Sequence, residues 1–362
     1  MEIDELPTPA VIIDLDAAER NIAKMQEFVR SKGCEVRPHA KSHKSPFIAK
    51  KQMQAGAVGQ CCQTLIEAEA MMLNGIDHIL LTHYLVSANT IGRFLNLGRN
   101  GEIMVTVDGT DNAEMLAKAS RHRGMTADVL VEVDVGANRA GQQPGEPAAK
   151  LARWVTQTEG LRLRGIMGYE GHLQVSTPDF EERKAKALVC MGNVTRTLDA
   201  MRGLGIAPEI VSCGGTGTYN ITAGYPGVTE IQPGSYIYMD RRYSEIATAG
   251  TDFEKAMTVI ATVVSTPTPT RAVTDLGWKA VGVEYEAQGF GGMPAPLLPG
   301  LKYALAGDEH GILNAEEPKY RPSVGDRVSF IPAHCDTAIN LYGTFYGVRR
   351  GQIEVACPVA RR

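Results

Sequence analysis

Between residues 15 and 240, short β-branched and aliphatic runs ending in turn residues alternate with longer segments of helical hydrophobic period. The apolar runs predict eight strands, at 34–40, 57–62, 78–82, 102–107, 128–135, 163–169, 208–212 and 228–232. The segments between them predict helices, for instance over 16–33, with Asp16 as the N-cap and Gly33 as the stop. Eight such units in about 220 residues match the size of a (β/α)8 TIM barrel. A doubly wound sheet shares the same periodicity and stays open as the rival architecture.

From about residue 250 the pattern changes. Val, Ile, Thr and Tyr alternate with polar residues in KAMTVIATVVSTP, GDRVSFIP and GTFYGVRRGQIEVAC, with Gly and Pro between them and no amphipathic helix. This predicts an all-β region, interrupted by a long loop at GFGGMPAPLLPG, residues 289–300. The expected organisation is a barrel over 15–245, then a β-rich domain of residues 1–14 with 250–362, the boundary falling within 241–254.

Composition narrows the function classes. With 44% apolar and 22% charged residues, the 362-residue chain has the make-up of a globular protein of about two domains. Thirty-seven Lys and Arg against 41 Asp and Glu leave a net charge of -4, without the basic excess that polyanion binding uses, so nucleic acid is not an expected partner. The N-terminus carries acids where a signal peptide needs a basic region, and no apolar run approaches the roughly 20 residues that span a bilayer. No membrane association is expected. Seven scattered cysteines lack CxxC spacing, which fits a reducing cytoplasm.

Barrel enzymes place reacting groups at the carboxyl ends of strands. The first strand ends in RPHAKSHKS, where Arg37, His39 and Lys41 share one face of an extended chain. A lysine in a dry barrel mouth is a candidate amine nucleophile, because burial favours the neutral amine that condenses with a carbonyl. A solvated basic loop would read the same way. VDVGANRAG presents Arg139 on a glycine turn, and GYEGHLQ offers Tyr169 and His172. VSCGGTGTYN, with Gly214, Gly215 and Thr216, and the following IQPGSYIYMD, with Gly234, Ser235 and Tyr236, form two late glycine turns where barrels commonly bind phosphate. In PAHCDTAINLY, an extended backbone would project His334 and Asp336 to one side, a sparse divalent-metal pair.

These motifs, in this order and over nearly the whole chain, resemble the fold-type III pyridoxal-phosphate enzymes. The resemblance is to the branch of D-threonine and D-3-hydroxyaspartate aldolases related to D-serine dehydratase and, through VDVGANRAG, to alanine racemases. PHAKSHK with a late HxD is the most specific combination. The resemblance implies that Lys41 carries pyridoxal 5'-phosphate on its amine. It places Gln60 and Tyr169 around the ring and Arg139 at its phenolic oxygen. Gly214, Gly215, Thr216, Gly234 and Ser235 would hold the phosphate beside Tyr236, and His334 and Asp336 would bind the metal. The dehydratase branch has H-x-C, whereas this chain has Asp336 at the second ligand position. A carboxylate is harder than a thiolate and favours Mn²⁺, Mg²⁺ or Co²⁺ over Zn²⁺.

The implied activity is a retro-aldol cleavage of a D-3-hydroxy amino acid into glycine and an aldehyde, with His172 or a metal-bound hydroxide as the candidate base, in a homodimer. A D-serine or D-threo-3-hydroxyaspartate dehydratase and an amino-acid racemase are the alternatives; a racemase would leave the HxD pair idle. A pyridoxal-phosphate-binding protein without turnover would not need the β-rich half. A cofactor-free metal hydrolase would need more metal ligands.

Overall fold

The computed structural model describes residues 2–246, 252–282 and 292–361. Residues 247–251 of the expected domain boundary and 289–291 of the expected loop lie outside them. Among the described residues two compact units are formed, one from 2–24, 42–45, 235–246, 252–282 and 292–361, the other from 25–41 and 46–234.

Strand β1 (Ala10–Asp14) leads into the helix Leu15–Ser31. The helix starts one residue earlier than its hydrophobic period suggests, and Asp14, not Asp16, supplies the cap: its Oδ1 accepts the Ala17 N–H at 3.0 Å. Asp16 instead pairs with Arg349. Gly33 ends the helix at φ +62°, as expected for a C′ glycine.

The larger unit is an eight-stranded parallel barrel. Its strands are β2 (Glu35–Val36), β3 (Gln60–Cys62), β4 (Ile79–Leu81), β5 (Ile103–Val107), β6 (Ala127–Glu132), β7 (Leu161–Gly168), β8 (Ile210–Cys213) and β9 (Glu230–Ile231). Every predicted strand is present, and the order β2-β9-β8-β7-β6-β5-β4-β3 is that of a curling sheet, not a doubly wound one. The ends meet across very short strands: Val58 N–H donates to Val36 O at 3.0 Å, Cys61 N–H to Pro38 O at 2.8 Å, and His39 and Cys61 form a parallel bridge. Inside, successive strands contribute Cys61, Leu80, Met104, Leu130 and Met167 to one buried cluster. Such a filled interior is the rule for this architecture.

Where β2, β8 and β9 adjoin, polar groups replace that filling. Arg37 forks onto Glu230 through two 2.9 Å bonds, Ser212 Oγ donates to Glu230 Oε1 at 2.7 Å, and Gln232 Nε2 donates to Ser212 Oγ at 2.7 Å. Arg37 therefore stands at the barrel seam as a structural residue.

The smaller unit is β-rich, as the alternation predicts. Its strands are β10 (Met257–Thr268), β11 (Arg271–Thr274), β12 (Ala295–Pro296), β13 (Leu301–Leu305), β14 (Gly311–Ala315), β15 (Arg327–Ile331), β16 (Thr344–Arg349) and β17 (Gln352–Pro358). They run β13-β14-β11-β10-β1-β16-β17, with β15 on β10 and β12 on β15. All pairs are antiparallel except β1 with β16. The chain at His334 departs from expectation: it turns into a short helix, Cys335–Ile339, immediately after that residue. His334 and Asp336 are thus not strand neighbours on one face.

Glu230 is 4% exposed, so removing it strands the Arg37 charge. Glu230→Ala is expected to destabilise the protein by about 3–5 kcal/mol in denaturant titration, with an Arg37→Met/Glu230→Leu pair much closer to wild type.

Candidate active site

The barrel places Lys41 in the tight turn Ala40–Ser42, one step beyond the β2–β3 closure. Its side chain is half-buried, its backbone N–H donates to His39 Nδ1 at 3.4 Å, and His39 Nε2 lies 3.2 Å from Thr82 Oγ1. The Lys41 ammonium acts electrostatically on the buried Cys61 thiol, whose pKa burial nevertheless pushes well up. Gln60 is fully buried; its Nε2 donates to Gln52 Oε1 at 3.0 Å, while its Oε1 has no hydrogen-bond partner. Such an orphaned buried acceptor calls for a group the protein does not itself supply. With a half-buried lysine on the turn that follows the neighbouring strand, the lining is of the kind that suits an aldehyde cofactor.

Arg139 and Tyr169 come together after β6 and β7, the guanidinium lying 5.6 Å from the ring centroid. Arg139 Nη2 is 3.6 Å from Glu132 Oε1 at the end of β6, and Glu132 Oε2 accepts the Tyr84 hydroxyl at 2.6 Å. Burial pushes the Glu132 carboxyl up, opposed by Tyr84 and Arg139. Sequence reasoning missed Glu132 and Tyr84. The only signal was their position at or just past strand ends.

The glycine loop after β8 is present, but its amides are committed inward. Gly214 N–H donates to Glu170 Oε2 at 3.2 Å, Gly215 N–H to Thr218 Oγ1 at 3.1 Å, and Gly217 N–H to Gln174 Oε1 at 2.7 Å. Gly214 adopts φ +71°, a conformation that favours glycine. The expected row of free donors at Gly214 and Gly215 is therefore replaced by a loop shaped from behind. Thr216 is buried in the same loop. Gly234 ends the barrel unit, whereas Ser235 and Tyr236 belong to the β-rich one, both buried, with Tyr236 edge-on to Phe253.

His172 sits in a short turn after β7. Its Nε2 is 3.9 Å from Cys190 Sγ, and its Nδ1 is buried without a partner. Burial holds the imidazole below its ordinary pKa, against the opposing fields of Glu170 and Asp134. Burial also raises the Cys190 thiol to about 12. The ring is neutral at pH 7 and faces an un-ionised thiol.

In the β-rich unit, His334 Nε2 lies 3.7 Å from Asp336 Oδ2, so the turn into the short helix still brings the pair together. Asp240 was not anticipated, although it ends the IQPGSYIYMD motif. Its Oδ2 sits 2.7 Å from His334 Nδ1 and accepts the Cys335 N–H at 2.9 Å, while Oδ1 accepts the Tyr243 N–H at 2.8 Å. Asp240, His334 and Cys335 form a compact group of metal-ligating types. The hydrogen bonds divide their roles. Asp240 has both oxygens engaged and orients the imidazole, an arrangement common behind metal-bound histidines. Burial pushes the Cys335 thiol well up, and its Sγ lies 3.5 Å from Asp336 Oδ1. Nε2 of His334 and the Asp336 carboxylate, 3.7 Å apart, are ligand types that suit a hard or borderline divalent cation.

All seven cysteines are free and buried. Among the described residues, no helix is long and apolar enough to cross a membrane.

The alanine racemase N-terminal domain family matches residues 13–242, and a serine dehydratase domain family matches residues 256–348. A 3-hydroxy-D-aspartate aldolase of Paracoccus denitrificans is 35% identical, covering 100% of this chain and 94% of its own. The crystal structure of a D-threonine aldolase from Filomicrobium marinum superposes with a TM-score of 0.95 at 38% identity, covering 99% of this chain and 97% of its own. The D-threo-3-hydroxyaspartate dehydratase of Delftia is more distant, with a TM-score of 0.88 at 28% identity over 100% of this chain and 99% of its own. The chain belongs to the alanine racemase N-terminal domain family, the barrel of fold-type III pyridoxal-phosphate enzymes, within its group of aldolase lyases.

Proposed function

We propose that this protein is a pyridoxal 5'-phosphate- and divalent-metal-dependent lyase that cleaves D-3-hydroxy amino acids of the D-threonine or D-3-hydroxyaspartate type into glycine and an aldehyde. The observation that carries this reading is the end-to-end similarity to aldolases of both substrate types, joined to a His334–Asp336 donor pair. The dehydratase reading draws support from the likeness to the Delftia enzyme. The carboxylate at Asp336, in place of a thiolate, favours the aldolase.

When bound, pyridoxal phosphate supplies an electron sink for the pair left on Cα, and the metal supplies a Lewis acid for the β-hydroxyl. The chain's own residues do the rest. Lys41 holds the aldehyde, with Gln60 and Tyr169 around the ring. Arg139, 3.6 Å from the Glu132 carboxylate, would present a positive charge to the phenolic oxygen. Gly214, Gly215 and Thr216 on the loop after β8, and Gly234, Ser235 and Tyr236 on the following turn, would be the residues that hold the phosphate. The first two act by shape, because their amides already bond within the protein. His334 and Asp336 hold the ion, Mn²⁺, Mg²⁺ or Co²⁺ before Zn²⁺, and Asp240 keeps the His334 Nε2 lone pair available by holding Nδ1. His172 takes the β-hydroxyl proton at its partnerless Nδ1, the low-pKa neutral imidazole being base-competent near pH 7. A cytoplasmic homodimer is part of the proposal, in keeping with seven unpaired cysteines.

Three outcomes are expected. Chelation should abolish aldehyde release from D-threonine and D-3-hydroxyaspartate, with Mn²⁺ restoring it and Asp240→Asn weakening Mn²⁺ by about 10–100-fold; 2-oxo acid and ammonia in place of glycine and aldehyde would support the dehydratase. Lys41→Ala should lose turnover of both substrates while retaining Mn²⁺ binding. Protonated His172 is inactive as a base, so kcat/KM should fall with decreasing pH only below the ordinary imidazole pKa near 6.5, and this acid limb should vanish in His172→Gln.

A further inference from the structure

The motif GYEGHLQ contributes Tyr169 and His172 to the proposed chemistry, which leaves Glu170 and Gln174 without a role. Both are buried, and both reach from the turn after β7 into the glycine loop after β8. Glu170 Oε1 accepts the hydroxyls of Thr218 at 2.8 Å and Thr222 at 2.7 Å, and its Oε2 accepts the Gly214 N–H. Gln174 Oε1 accepts the Gly217 N–H, while its Nε2 donates to Thr218 Oγ1 at 3.0 Å. Thr218 Oγ1 in turn accepts the Gly215 N–H. Gly214, Gly215 and Gly217 are thereby tied to one buried network.

The packing is as restrictive as the hydrogen bonding. A Cβ at Gly215 would stand 2.5 Å from Gln174 Oε1, and one at Gly217 would stand 2.0 Å from the Gln174 carbonyl oxygen. The glycines are required by the Gln174 side, not by a need for open space in front. Glu170 is a fully buried carboxylate at 0% exposure, and burial of such a group persists only where its oxygens are well bonded. Its partners here are a backbone amide and two hydroxyls of the loop and the short helix Tyr219–Thr222.

We infer that Glu170 and Gln174 are positioning residues for phosphate recognition: they set the backbone of residues 213–218 in the shape that accepts the cofactor's phosphate, without touching it. This rests on the pyridoxal-phosphate reading and adds to it the reason that reading needs. A loop whose amides at Gly214, Gly215 and Gly217 bond inward can select a phosphate only if its geometry is held rigid. The effect must therefore be specific to the phosphate and absent for the ring.

Apo-protein is titrated with pyridoxal 5'-phosphate and separately with pyridoxal, followed by visible absorption, for wild type, Glu170→Gln and Thr222→Val. A glutamine offers one acceptor oxygen and one donor nitrogen to three donors, so at least one loop bond is lost. Glu170→Gln is expected to weaken the phosphorylated aldehyde by about tenfold or more while leaving pyridoxal within about twofold. Thr222→Val, which removes one donor at nearly constant shape, should move the ratio in the same direction by less, with inorganic phosphate protecting the variant less than wild type. Parallel weakening of both aldehydes, an unchanged ratio, or tighter binding of the phosphorylated form would overturn the inference. Should Glu170→Gln fail to fold, an unchanged ratio in Thr222→Val overturns it alone. A wild-type protein that binds neither aldehyde would instead sink the cofactor reading, and the inference with it.

Discussion

The barrel closes between two of its shortest strands, and the turn bearing Lys41 begins at that seam. β2 has two residues and β3 three, so the closure depends on a few contacts: the amides of Val58 and Cys61, the His39–Cys61 bridge, and Arg37 Nη1, which donates to Val58 O at 3.5 Å while Glu230 on β9 holds the rest of its guanidinium. The Lys41 backbone amide then bonds back to the His39 ring. The polar network of Arg37, Glu230, Ser212 and Gln232 thus packs behind the strand that leads into this turn. Fold and chemistry meet at this constraint.

Buried carboxylates recur in the same capacity. Glu230 holds Arg37 at the seam, Glu132 holds Arg139, Glu170 holds the glycine loop, and Asp240 holds His334. Each is a buried carboxylate with more than one partner, and apart from the looser 3.6 Å Glu132–Arg139 contact the same bonds fix a neighbour in one orientation. This is the usual relation between an active group and its support, since a reacting side chain left to choose its rotamer loses the alignment that catalysis needs.

The period of the chain made the eight strands and the β-rich half legible, because parallel barrel strands are buried on both faces and read as plain apolar runs. Lys41, Arg139, Tyr169 and the glycine loop were legible as residues at strand ends. Their supports were not: Asp240 is 94 positions from His334, Glu170 is 44 from Gly214, and Glu230 is 193 from Arg37, separations that no local pattern encodes. Local rules also failed where two signals competed. Asp14 and Asp16 both suit a cap, and only the strand end at Asp14 decides between them. At His334 the extended reading gave way to a helical turn because Asp240 accepts both the imidazole and the Cys335 amide.

The proposed chemistry depends most on one amine carrying the aldehyde. Borohydride reduction of the purified holoenzyme followed by peptide mapping addresses it directly. The prediction is a yellow protein whose reduced pyridoxyl group lies on the peptide containing Lys41, and on no peptide of a Lys41→Ala variant. A colourless protein, or a label on Lys44 with Lys41 unmodified, would contradict it.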